Sequence, residues 1–317
     1  MSIVGSFDTF QTTVNADAGQ VAEARRRRRV FESALTTEPD VLELIASGSL
    51  ARGTHHDPIH DVDLIVVFDA DEHADWGSNG ESAKDALDHT GAMIHRLLGS
   101  TSGTYDHLVR LARWRNHAVK CFLDDPEDDG AFTVDVMPAI RAGDHLLIPE
   151  ALTESWIECD PEYLIRKSKA KHAEWKKYAG TVRMLKWWRK EQPIKIKSLV
   201  MEVLAFDHLP LGQSQPGAIK SFFAAAAFAL ESGLDVVDPA NYCGAIQPDL
   251  DCGQFAELLR TAATSASAAV AAQANNDAAG ATQHWADIFG DDFPVIAAAV
   301  ATVTDSGPRP VRDSPQG

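Results

Sequence analysis

Apolar and polar positions follow two rhythms along this chain. In the first half, short β-branched runs alternate with longer helical stretches. Val41 to Ala46, Asp61 to Phe68, Ala118 to Leu123 and Phe132 to Met137 each read as strands. Residues 7–36 predict one long helix, with Val21, Ala24, Val30, Phe31 and Leu35 at roughly helical spacing, and residues 80–99 predict a second. The acidic stretch Asp124 to Gly130 separates the last two strands and reads as a solvated turn. From Pro161 onward the strand signals fade, and helices are predicted over 161–191, 196–209, 216–233, 253–274 and 277–289. Residues 262–281 are about half alanine, which favours helix and close helix packing. The stretch Asp305 to Gly317 is rich in Pro, Gly, Ser and Asp and predicts a disordered tail. The expected fold class is therefore α+β. A sheet-bearing core with its N-terminal helix covers 1–160, a helical domain covers 161–304, and a tail covers 305–317. No internal repeat is present.

Composition narrows the setting. The chain has 317 residues, 45% of them hydrophobic and 24% charged, which supports a packed core. Four cysteines without a CxxC pair exclude a disulfide scaffold or a zinc ribbon. The first residues carry no basic and apolar leader, and the longest apolar run, Phe222 to Leu230, is about half a membrane span. A cytoplasmic protein without a membrane partner is expected. The net charge of −17 argues against a general binder of nucleic acid. That charge is uneven: Tyr163 to Val200 holds 12 Lys/Arg against 2 Asp/Glu. A local cationic wall for a small anionic ligand is thus compatible with the acidic whole.

The chemistry concentrates in Gly48-Ser49-Leu50-Ala51-Arg52-Gly53-Thr54, followed by Asp61-Val62-Asp63 on a strand. Gly48 and Ser49 fall at a strand end entering a helix, where unpaired backbone N–H groups and a hydroxyl hold phosphate oxygens. Asp61 and Asp63 are two apart on a strand, so their carboxylates share a face. Asp135 sits inside the otherwise apolar run Phe132 to Met137, a costly position unless it is paired or metal-bound. Three such carboxylates beside a phosphate turn are a donor set for two Mg²⁺, with Mn²⁺ as a substitute, bridging to a triphosphate.

This order of elements resembles the DNA-polymerase-β-like nucleotidyltransferase superfamily. The later segments Val182 to Arg189, Ile196 to Leu204 and His284 to Pro294 are similar to the bacterial cGAS/DncV-like nucleotidyltransferases, the CD-NTases. The resemblance covers roughly residues 20–295. It implies a polymerase-β-like sheet with a C-terminal helical domain and the active site in the cleft between them. It also implies a Mg²⁺-dependent enzyme that makes cyclic di- or trinucleotide second messengers from NTPs in anti-phage, CBASS-type signalling. Gly48 and Ser49 match the phosphate-gripping pair, Asp61, Asp63 and Asp135 the metal triad, and Lys186 and Ser198 the triphosphate contacts of the helical side. Arg183, Lys186 and Lys190 also share one face at helical spacing. A downstream effector would bind the product. A flexible tail ending in Gly317 is compatible with attachment by a ubiquitin-conjugation-like partner.

Competing readings stay open at the level of sequence. A linear nucleotidyltransferase acting on a macromolecule or small-molecule acceptor would use the same triad. A degenerate fold serving as a binding module would not need all three carboxylates. His55, His56 and His60 lie beside Pro58, which favours a loop over the helix that an HxxxH metal site needs. Cys243 and Cys252 read as ordinary thiols. The five consecutive residues Arg25 to Arg29 point all round a helix, so part of that ring is expected to pair with acids. Trp187 and Trp188 read as core.

Overall fold

A computed structural model describes residues 2–56, 58–99 and 108–297. The tail 305–317, with Gly317, lies outside the described residues. The chain begins with two helices, α1 (Ile3–Val14) and α2 (Ala18–Leu35), where the sequence pattern predicts one over 7–36. The break has a local cause. Asn15 adopts extended backbone, and the Asp17 carboxylate accepts from the backbone N–H of Gly19 and Gln20, capping a new helix. The two helices go to different places. α2 buries Ala24, Phe31 and Leu35 against the sheet. α1 turns Ile3, Phe7, Phe10 and Val14 into the helical half, where Phe7 meets Trp285 at 5.0 Å and Phe10 meets Phe289 at 4.9 Å between ring centres. The first helix therefore packs with the C-terminal helices, not with the sheet of residues 1–160.

Among the described residues seven strands form one sheet: β1 (Val41–Ser47), β2 (Asp61–Phe68), β3 (Leu111–Trp114), β4 (Val119–Phe122), β5 (Thr133–Ala142), β6 (His145–Glu150) and β7 (Ser155–Cys159). The order is β1-β2-β5-β4-β3, and β6 joins the later part of β5 and pairs β7. β2 and β5 run parallel in unbroken register; the other pairs are antiparallel. Alternation along β2 decides what each face does. Val62, Leu64, Val66 and Phe68 enter a core shared with α2 and α4 (Ser82–Leu98). Ile65 and Val67 enter a smaller cluster with Ile45, Ala139 and Ile148 on the other face.

After β7 the chain is helical, changing character at Pro161. α5 (Pro161–Glu174), α6 (Tyr178–Lys190), α7 (Ser198–His208), α8 (Gln215–Glu231), α9 (Cys252–Ala274) and α10 (Ala278–Phe289) follow. The single helix predicted over 161–191 is two, separated at Trp175, whose backbone is extended. Trp188 is buried in this second core and Trp187 packs against it. Among the described residues no helix is long and apolar enough to cross a membrane.

Candidate active site

The face of β2 that carries Ile65 and Val67 continues backward to Asp63 and Asp61, at the N-terminal end of the strand. Asp63 lies in register with Asp135 of the parallel neighbour β5, and Asp61 with Thr133. The three carboxylates predicted from sequence thus meet at one sheet end. Burial and the negative charges of Asp61 and Asp135 push the Asp63 carboxyl up to about 7. Burial also raises that of Asp135, although Lys120, opposite it on β4, pulls the other way. Asp135 Oδ1 is buried with no hydrogen-bond partner among the described residues. Repelling carboxylates with an unpartnered buried oxygen fit a hard divalent cation, which takes oxygen ligands and removes the repulsion.

The turn from β1 into α3 (Gly48–Arg52) lies directly against this cluster. Gly48 has φ of +71°, and a Cβ there would stand 1.7 Å from Asp63 Oδ2. Only glycine lets the backbone pass the carboxylate. Gly53, also with positive φ, ends the short helix. Gly48, Ser49, Asp61, Asp63, Lys186 and Ser198 all line one cleft of about 410 Å³ between sheet and helices. Ser198 is the first residue of α7, whose N-terminal turn faces the cleft; Lys197, not Ser198, holds the cap position.

Lys186 is held behind the turn. Its side chain is only 2% exposed; the ammonium donates to Thr54 O at 2.9 Å and pairs with Glu202 at 3.0 Å. Arg183 donates to Gly53 O and Asn15 Oδ1, and the Lys190 ammonium lies 5.2 Å from the Trp187 ring centre. The three cations do not form one face toward a ligand. The physical reason is that the carbonyls of Gly53 and Thr54, and the Glu202 carboxylate, need donors. Lys186 borders the cleft from behind that turn.

Glu202 is the residue the sequence reading missed. It is buried on α7 and accepts from Arg52 Nε at 2.7 Å, Arg52 Nη2 at 3.2 Å, Thr54 Oγ1 at 2.6 Å and Lys186 Nζ. Burial pushes its carboxyl up, but the charges of Lys186 and Arg52 and the hydrogen bonds from Arg52 and Thr54 outweigh it and hold it at about 2. Arg52 and Thr54 belong to the GSLARGT motif, so this network fastens the Gly48–Ser49 turn to α6 and α7. A lone Glu in the apolar run Leu199 to Phe206 was its only sequence signal. His55, also on the cleft, is brought down to about 4 by burial and by Arg183 and Lys186, and stays neutral. His60 takes Gly130 O as partner through Nδ1.

The arginine run is partly spent on acids, as expected. Arg26 and Arg27 pair Glu23, Arg28 pairs Glu32, and Arg27 also reaches Asp124 at 2.9 Å. Asp124 accepts from Phe132 N as well, so the acidic turn is anchored at its first residue and not simply solvated.

A mixed sheet carrying paired acids beside a Gly-Ser turn, closed by a helical half, defines the nucleotidyltransferase fold. Several solved structures share it along most of the chain. CdnC of E. coli MS115-1, solved as a CdnC:HORMA-deltaN complex, has a TM-score of 0.68 at 18% identity over 92% of this chain and 98% of its own. CdnG of Bradyrhizobium diazoefficiens, solved with GTP, has 0.67 at 12% over 91% and 95%. Vibrio cholerae DncV, a cyclic AMP-GMP synthase, has 0.55 at 14% over 81% and 72%. Residues 1–121 match the family model described as Second Messenger Oligonucleotide or Dinucleotide Synthetase domain. The matched stretch holds Gly48, Ser49, Asp61 and Asp63 and ends before Asp135. No curated protein matches the chain significantly.

Proposed function

We propose that the protein is a Mg²⁺-dependent nucleotidyltransferase that makes cyclic di- or trinucleotide second messengers from NTPs, in CBASS-type anti-phage signalling. The observation that carries this is the register that sets Asp135 beside Asp63 on neighbouring strands, with Asp61, Asp63 and the Gly48–Ser49 turn lining one cleft. The Gly48–Ser49 backbone and the Ser49 hydroxyl hold phosphate oxygens of the donor nucleotide. The first turn of α7 at Ser198 offers further N–H groups to the same polyphosphate. Asp61 and Asp63 present both carboxylates to the donor, and Asp135 faces the ribose hydroxyl that attacks the α-phosphorus. The O–P bond forms as the bond to pyrophosphate breaks, and the hydroxyl proton leaves toward Asp135. When bound, Mg²⁺ supplies neutralisation of charge on the attacking and leaving oxygens. The remaining catalysis is positioning, which the rigid β2–β5 register provides. A second transfer with the first product turned round in the cleft closes the ring.

CdnC is recorded in complex with a HORMA protein, and CdnG with GTP. We extend from these a protein partner and NTP substrates to this chain, with a product-binding effector downstream. Attachment of a ubiquitin-conjugation-like partner at the tail rests on the sequence alone. The test uses wild type and the D61N/D63N variant with labelled ATP, GTP, CTP and UTP. The reading predicts oligonucleotide and pyrophosphate from wild type and none from the variant; equal product from both overturns it.

A further inference from the structure

Asp40, His73 and His89 converge at the end of the β1–β2 pair remote from the carboxylate triad. Val41 pairs Phe68 there, whereas Asp63 pairs Ser47 at the other end, so about 17 Å of strand separates the two places. Both imidazoles address one atom: His73 Nε2 lies 2.9 Å and His89 Nε2 2.8 Å from Asp40 Oδ2. All three ligand atoms lie within 4.8 Å of one another. The rings are fixed by packing. His73 stacks on Trp76 at 3.9 Å and 18°, and Phe68 stands edge-on to His73 and to His89. The side chains of Asp40 and His73 are 14% exposed, while His89 at 40% leaves one side open to water. The loop that supplies His73 contains Asp69, Asp71, Glu72 and Asp75 and no Lys or Arg, so its field favours a dication.

We propose that Asp40, His73 and His89 form a second metal site, binding one Zn²⁺ or similar transition dication. Two imidazoles and one carboxylate with a fourth position open to water suit zinc, while Mg²⁺ prefers oxygen alone. Zinc bonds of about 2.0–2.1 Å place tetrahedral ligand atoms about 3.3 Å apart, so the two N···O separations need to open by only about half an ångström. Each imidazole then carries its proton on Nδ1, and the metal replaces the two N–H···O contacts. Its effect is to fasten the irregular segment between β2 and α4 onto the start of β1.

The experiment loads purified D61N/D63N protein with Zn²⁺ in excess Mg²⁺, removes free metal by gel filtration and measures bound zinc. The D61N/D63N background excludes zinc held by the triad. About one equivalent is expected, with an affinity loss on H73N or H89N beyond the 10–100-fold of an outer-shell change. Co²⁺ in place of zinc is expected to show the strong visible absorption of four-coordinate cobalt, lost in H89N. His89 is the most exposed ligand, so H89N reads the site even where H73N fails to fold. Absence of retained zinc in the D61N/D63N protein, or equal retention after H89N, overturns the proposal.

Discussion

Replacing Glu202 by alanine tests whether the Gly48–Ser49 turn is held by a buried charge network. The substitution removes the one acceptor shared by Arg52, Thr54 and Lys186. Glu202 is 3% exposed, Lys186 2% and Arg52 11%, so two cations lose their counter-charge where water does not reach them. Breaking a buried pair by removing one partner costs about 3–5 kcal/mol. At about 2–4 °C per kcal/mol for a large domain, E202A lowers Tm by roughly 6–20 °C. Thermal unfolding followed by circular dichroism measures this. A double-mutant cycle with Lys186→Met sharpens it, because K186M should cost less on the E202A background than alone. The carboxyl is held at about 2, below its unfolded value, so the stabilisation is present above the unfolded pKa and lost as pH falls through about 2. A Tm change of less than about 2 °C, or strict additivity with K186M, would refute the reasoning.

Further outcomes follow from the same site. Gly48→Ala places a Cβ 1.7 Å from Asp63 Oδ2, so carboxylate and turn must separate. A displacement of about 1 Å costs about 100-fold in rate, which steady-state pyrophosphate release would show with the fold intact by circular dichroism. Asp63→Asn acts on stability without any nucleotide. The native carboxyl at about 7 lies above its unfolded value, so wild type binds more protons folded than unfolded and loses stability as pH rises toward 7. In EDTA, D63N should therefore gain Tm over wild type at pH 8 and much less at pH 4, and Mg²⁺ should shrink the gap by stabilising wild type alone. A gap independent of pH would contradict the carboxylate repulsion.

How far the sequence led depends on the range of the forces involved. The triad and the Gly-Ser turn were legible because strand alternation and turn chemistry are local rules. Asp61 and Asp63 share a face by period, whereas Asp135 joins them only because β2 and β5 are neighbours in register. The strands β3, β6 and β7 were not legible. Leu111–Trp114 is four residues long, and His145–Glu150 carries a proline that weakens a strand reading. The break between α1 and α2 was a capping competition at Asp17, local but weak beside the apolar periodicity around it. Glu202, Arg52 and Lys186 come from residues 16 to 150 positions apart, and their pairing is a tertiary fact. The Lys186–Glu202 pair was not legible for the same reason.

The central claim is that this cleft builds a nucleotide ring. Mass spectrometry of the products from wild type with the four NTPs and Mg²⁺, after phosphatase treatment, tests it most directly. The account predicts a phosphatase-resistant species with the mass of a cyclic di- or trinucleotide, absent with D61N/D63N. Only phosphatase-sensitive linear products, or label transferred to another acceptor, would contradict it.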